Sequence, residues 1–141
     1  MSHDNGVLHV TSTNYDDSIA LKLVQNSSRC ISLHGFSDSD ANGEIRIGGR
    51  DTELMSIVLE ELTAAGISAQ VATDPKLNGN DPANICNKTT IGAGVQLEMQ
   101  TTYRESLFAP GCNTRELRKN NTNAVFCNLI MALRKALCRV Y

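Results

Sequence analysis

Short apolar runs alternate along this chain with longer segments in which apolar residues recur at helical spacing. That alternation predicts an α/β layer fold. The apolar runs predict strands over residues 7–11, 30–34, 44–47, 68–71 and 94–99. The helical spacing predicts four helices. The first begins near Tyr15, and the others cover residues 51–65, one or two turns of 101–108, and 122–139.

The segment 51–65 carries the clearest helical pattern, and Gly66 supplies its carboxyl-terminal stop. It lies between two predicted strands, and this β-helix-β order favours parallel pairing. The last helix has one broad apolar stripe, which we expect to pack onto the sheet rather than bind a partner. We therefore expect one domain over residues 1–141, with a mixed, mainly parallel sheet flanked by helices.

Composition excludes several classes of function. The formal net charge of the 141 residues is -2, so we expect no nucleic-acid partner. No apolar run approaches the length that crosses a bilayer, and polar residues interrupt the first ten positions, so we expect a cytoplasmic protein without a membrane partner. The five cysteines are odd in number and form no C-x-x-C pair, which favours reduced thiols.

Polar side chains cluster where two of the predicted strands end. Ligands of open parallel sheets bind at the carboxyl ends of the strands, where His34 and Glu98 stand, with Asn84, Asn87 and Lys88 in the connection between them. A neutral imidazole can bind a metal, and a carboxylate can move a proton between a water and a leaving amine. The spacing alone leaves non-catalytic alternatives open: a hydrogen-bonded structural histidine, a solvated glutamate, and asparagines that cap a turn.

Five segments together resemble one known family. They occur in the order "LHVTSTNYDD", "SLHGFSD", "IGGRDTEL", "DPANICNK" and "GAGVQLEM". In this order they are similar to segments of the poly-γ-glutamate hydrolase family, which includes phage depolymerases and bacterial proteins labelled phage-related replication proteins. The resemblance covers residues 8–108.

This resemblance implies a zinc-dependent amidohydrolase with a zinc carboxypeptidase-like fold that cleaves γ-glutamyl amide bonds in poly-γ-glutamate or a γ-glutamyl peptide. His34 matches the family's last zinc ligand, and Glu98 matches its catalytic carboxylate. Asn87 and Lys88 match the asparagine and the basic residue of the family's "N-x-x-N-R", so both are candidates for binding the substrate carboxylate. Further basic residues near matching segments are Arg50 and Arg104.

One departure limits what the resemblance implies. The family's first two metal ligands come from an "H-x-G-G-x-I-E" segment that these 141 residues lack, and His3 and His9 do not reproduce it. We therefore expect an amino-terminally truncated form of the family domain with an incomplete zinc site, an uncovered sheet edge and a tendency to associate. The oligomeric state is left open. The alternative is a non-catalytic remnant, or a module of the same fold that binds anionic ligands.

Overall fold

The computed structural model describes residues 9–37 and 42–141. In chain order, the elements are helix α1 (Ser18–Gln25), strands β1 (Ile31–Phe36) and β2 (Ile45–Gly49), helix α2 (Thr52–Ala64), strands β3 (Ala69–Val71) and β4 (Val95–Gln100), and helices α3 (Thr101–Ser106) and α4 (Ala124–Cys138). Two short 3₁₀ turns cover Ile85–Asn87 and Arg118–Asn120.

Most predicted elements are present, with ends shifted by a few residues. The helix expected near Tyr15 begins at Ser18 because the Asp17 carboxylate accepts hydrogen bonds from the first backbone N–H groups of the helix. The strand expected over residues 7–11 lies partly outside the described residues, and its described part, 9–11, is not a strand. None of the helices in the described ranges is long and apolar enough to span a bilayer.

The four strands form one mixed sheet in the order β1-β4-β2-β3. Strand β4 is parallel to β1, and β2 is parallel to β3, whereas β2 and β4 are antiparallel. Two of these three pairings are parallel, so the predicted mixed, mainly parallel sheet is confirmed. Helix α2 connects β2 to β3, which is the β-helix-β unit that its position in the sequence indicates.

The side chains of strand β4 alternate between an apolar face of the sheet and a polar face. All six residues of the strand are buried. Because side chains alternate along a strand, Val95, Leu97 and Met99 join the hydrophobic core, while Gln96, Glu98 and Gln100 point to the opposite face. Helices α2 and α4 pack against each other over the apolar face, so the stripe on α4 contacts α2 as well as the core beneath it.

Helix α1 and the edge strand β1 leave apolar side chains uncovered. Helix α1 buries none of its residues, and the exposed fractions are 70% for Ile19 and 66% for Leu23. Leu33 on β1 is also half exposed. Single exposed apolar residues are ordinary, so these three do not test the expected uncovered sheet edge, which stays a prediction. Association in solution stays a prediction.

Candidate active site

His34 and Glu98 form the centre of the candidate site. They are register partners on the parallel strands β1 and β4, and paired residues on neighbouring strands point to the same face. The distance from His34 Nδ1 to Glu98 Oε1 is 3.9 Å. The side chain of His34 is 31% exposed and that of Glu98 is 9% exposed, so the pair opens to water on the imidazole side.

Burial shifts the pKa values of both groups towards their neutral forms. It raises the pKa of Glu98 to about 7, against the opposing charge of Arg104. It also lowers the pKa of His34 below 6.5, and the charge of His9 adds to that effect. At neutral pH the imidazole is therefore uncharged, so the contact is not a fixed ion pair. Glu98 titrates in the range where a general base is most effective.

A chain of buried amides holds the carboxylate of Glu98 in place. Gln96 donates from Nε2 to Glu98 Oε1 at 2.9 Å, and Asn84 donates from Nδ2 to Gln96 Oε1 at 2.7 Å. Asn84 in turn accepts a hydrogen bond from the backbone N–H of Cys86. Sequence reasoning missed Gln96, although the alternation "VQLEMQ" already places it on the face of Glu98.

The side chain of Asn87 shapes the loop that precedes β4. Its Nδ2 donates to the carbonyls of Gly79 and Asp81, and its Oδ1 accepts from the N–H of Gly94. Asn87 is buried, and both of its N–H groups are used in these bonds. We therefore interpret it as a structural clamp, and its predicted contact with the substrate stays a prediction.

Lys88 and Arg50 lie towards the amino end of β4 rather than beside Glu98. The backbone N–H of Arg50 donates to the carbonyl of Gly94, just before β4 begins, and Lys88 directly follows the clamp at Asn87. Neither side chain makes a hydrogen bond or ion pair with another residue in the described ranges. Their predicted substrate contacts stay predictions, and the structure does not bring Arg50 next to the His34–Glu98 pair.

Arg104 packs against β1 on the face opposite the pair, because Gly35 is the register partner of Met99, whereas Arg46 on β2 is the basic residue paired with Glu98. It lies on α3, directly after β4, and its guanidinium crosses Gly35, where an added Cβ would stand 2.6 Å from Arg104 Cζ. It donates to the hydroxyl of Thr101 at 2.9 Å, and its Nε is buried without a hydrogen-bond partner. Its charge opposes the rise in the pKa of Glu98, which places it within electrostatic reach of that carboxylate.

The described residues supply only part of a metal site. Among them, no group of three or more His, Cys, Asp or Glu side chains could hold a metal ion. His34 offers one neutral imidazole, and His3 lies outside the described residues. All five cysteines are unpaired, and burial raises the pKa of the Cys86 thiol to about 11, so that thiol is a poor metal ligand at neutral pH.

Comparison with known proteins identifies relatives for the whole described fold. The model of the poly-γ-glutamate hydrolase family matches residues 1–132. The UPF0714 protein YndL of Bacillus subtilis (strain 168) is 41% identical over 108 residues, which are 76% of this chain and 42% of YndL. The SPbeta prophage-derived UPF0714 protein YoqZ of the same organism is 37% identical over 91% of this chain and 46% of its own length.

Two solved structures also match the full length of this chain. A bacteriophage poly-γ-glutamate hydrolase superposes with a TM-score of 0.90 at 33% identity, and the match covers 67% of that protein. Zinc-free YNDL superposes with a TM-score of 0.87 at 34% identity over 68% of its chain. The chain thus spans about half the length of the curated relatives and about two thirds of the solved structures.

Proposed function

We propose, on the premise that this chain belongs to the poly-γ-glutamate hydrolase family, that its site serves the hydrolysis of γ-glutamyl amide bonds with the help of zinc. The single observation that carries the proposal is the 3.9 Å approach of His34 and Glu98 on one polar face that opens to water. A metal-binding imidazole and a proton-transferring carboxylate must lie close together for this chemistry, and the proximity of these two side chains, remote in sequence, supports the proposal.

His34 would hold the metal through its neutral imidazole. The similarity to zinc-free YNDL supports zinc as the metal. Zinc bound there would supply a Lewis acid that polarises the amide carbonyl and acidifies a water molecule. Since the described residues hold no complete ligand group, the remaining ligands would come from outside these ranges.

Glu98 would move the proton. Its Oε1 is held by Gln96, which leaves Oε2 as the oxygen that takes a proton from the attacking water. The same oxygen would then deliver the proton to the nitrogen of the leaving amine as the amide bond breaks. A carboxyl group whose pKa is about 7 can serve both steps near neutral pH, because neither protonation state is strongly favoured.

Arg104 would attract the acidic polymer through the long-range effect of its charge, because its guanidinium packs on the Gly35–Met99 face rather than beside the pair. Its guanidinium lies within electrostatic reach of Glu98, and its Nε is buried without a partner. A planar cation of this kind is suited to a carboxylate or to the oxygen of a polarised carbonyl. Lys88 would add positive charge at the amino end of β4, where its side chain makes no ion pair with a described residue.

The test is the chain length of poly-γ-glutamate incubated with the protein and zinc. We expect the polymer to shorten, seen as a fall in viscosity, and we expect Glu98→Gln to remove this effect. Glu116→Gln is the matched control, because Glu116 is exposed and makes no ion pair with a described residue. Polymer of unchanged length with the unaltered protein would contradict the hydrolase proposal.

A second function follows from the incomplete ligand group: a non-catalytic module that binds anionic ligands with the same fold. Zinc content after dialysis separates the two proposals. About one zinc ion per chain supports the hydrolase, whereas a protein that retains no zinc but binds γ-glutamyl peptides supports the binding module.

A further inference from the structure

A polar cavity of about 280 Å³ lies beside the candidate site. Residues 11–13 form one wall, the loop 75–81 forms another, and Gln96 is part of the lining. The loop crosses the polar face of the sheet, since Gly49 N–H donates to the carbonyl of Asn78 at 2.7 Å and an added Cβ on Gly79 would stand 2.9 Å from Gln96 Cβ. The cavity and Glu98 therefore share one face.

Gln96 connects the cavity to the reacting centre. It lines the cavity, and it also donates to Glu98. Alternate residues of a strand are about 6.6 Å apart, at about 3.3 Å per residue. The part of a substrate that occupies the cavity would thus be only a few covalent bonds from the part on which Glu98 acts. Both Gln96 and its partner Asn84 are at least nine-tenths buried, so this part of the lining is fixed.

The lining combines neutral donors with one cation and one anion. The hydroxyls of Thr11 and Thr13 lie 3.2 Å apart at one wall. Lys76 makes no side-chain hydrogen bond or ion pair with a described residue, so its ammonium group remains available to a ligand. Asp81 accepts a hydrogen bond from the N–H of Ala83 through Oδ1 at 2.8 Å, which keeps its other oxygen available as an acceptor.

We infer that this cavity is the subsite for one unit of a γ-linked glutamate chain, next to the bond that is cleaved. In such a chain, one carbon carries both a carboxylate and an amide N–H. Lys76 and the hydroxyl groups match the carboxylate, and Asp81 matches the N–H. An α-linked chain has a backbone carbonyl at that carbon instead of the carboxylate, so the cavity would distinguish the two linkages. The identity of the polymer rests on the proposed function.

Binding of a γ-linked glutamate trimer to the zinc-free full chain, measured by calorimetry, tests the inference without any need for hydrolysis. We expect Lys76→Ala to weaken binding about tenfold, which is the loss typical of one charged hydrogen bond. Lys135→Ala is the matched control and should leave the affinity unchanged, because Lys135 lines a separate cavity formed by α2 and α4 residues.

Two further measurements sharpen the result. Asp81→Asn keeps an oxygen for the N–H of Ala83 and removes the charge. It should therefore weaken binding of the γ-linked trimer without unfolding the loop. An α-linked glutamate trimer of the same charge should bind several-fold more weakly than the γ-linked one. Equal affinity for both trimers, no binding of either, or unchanged affinity in Lys76→Ala would each overturn the subsite.

Failure of the subsite and failure of the proposed function give different results. A protein that binds the γ-linked trimer through Lys76 but leaves the polymer intact keeps the subsite and loses the hydrolase. A protein that shortens the polymer with the same KM in Lys76→Ala keeps the hydrolase and loses the subsite.

Discussion

The imidazole of His34 lies 3.9 Å from the carboxylate of Glu98, because β1 and β4 run parallel with these two residues as register partners. The strands that carry them are neighbours in the sheet but distant in the chain. One register shift would turn one of the two side chains to the apolar face. The pairing of these two strands is thus the structural condition for any chemistry at this site.

The raised pKa of Glu98 makes stability depend on pH. A carboxyl group whose pKa rises from 4.5 to about 7 on folding binds more protons in the folded state. Its contribution is therefore full below pH 4.5 and is lost as the pH rises through 7. We expect denaturant unfolding to show that Glu98→Gln removes this decline between pH 4.5 and 7.

The contribution of His34 has the opposite sign. The pKa of His34 is lowered on folding, so its contribution to the stability of the folded state is present above pH 6.5 and is lost as the pH falls. The difference between the unaltered protein and Glu98→Gln isolates the carboxyl group, because His34 is present in both. A difference in unfolding free energy that is flat from pH 4 to 8 would contradict the raised pKa of Glu98.

Asn87→Ala and Lys88→Ala should separate stability from binding. Asn87 makes three hydrogen bonds to buried or half-buried backbone groups, and leaving such groups unsatisfied costs about 1–3 kcal/mol each. We expect Asn87→Ala to lower the unfolding free energy by about 2–4 kcal/mol. Lys88→Ala should keep that free energy and raise the KM for the polymer. Equal stability of the two variants in denaturant unfolding would contradict the clamp.

Two glycines should respond differently to alanine. An added Cβ on Gly48 would stand 2.2 Å from the backbone oxygen of Asn78, so the loop over the polar face must move. We expect Gly48→Ala to lower the unfolding free energy by about 1–3 kcal/mol and to weaken binding of the γ-linked trimer. At Gly35 the Cβ would meet the side chain of Arg104, which can rotate away.

Gly35→Ala should therefore cost less stability than Gly48→Ala but displace the guanidinium of Arg104 from its place over β1. We expect the pKa of Glu98, followed by NMR, to rise in this variant, because the charge of Arg104 lowers it. An unchanged pKa of Glu98 in Gly35→Ala would show that Arg104 does not act on that carboxylate.

Local patterns in the sequence are sufficient for most of the elements and for the faces of β4, but they wrongly predict a strand at residues 9–11. The alternation "VQLEMQ" separates Leu97 from Glu98, and Gly66 ends α2 with a φ of +71°. These features depend on residues close together in the chain, which is why periodicity and turn chemistry predict them.

Long-range contacts could not be predicted in the same way. Nothing near Asn87 in the sequence indicates that its amide is used by Gly79, Asp81 and Gly94. Arg104 reaches Gly35 only because α3 follows β4 and β4 pairs with β1. The family resemblance pointed to His34 and Glu98, but their distance required the strand register.

The most direct test of the account is the hydrolysis rate of three variants: His34→Ala, Glu98→Gln and the two combined, with poly-γ-glutamate and zinc. If the two side chains act as one unit, each single change lowers kcat by about 10²–10⁴-fold, and the double change costs no more than the worse single one. Losses that multiply in the double variant, or a single variant that turns over like the unaltered protein, would contradict a shared site.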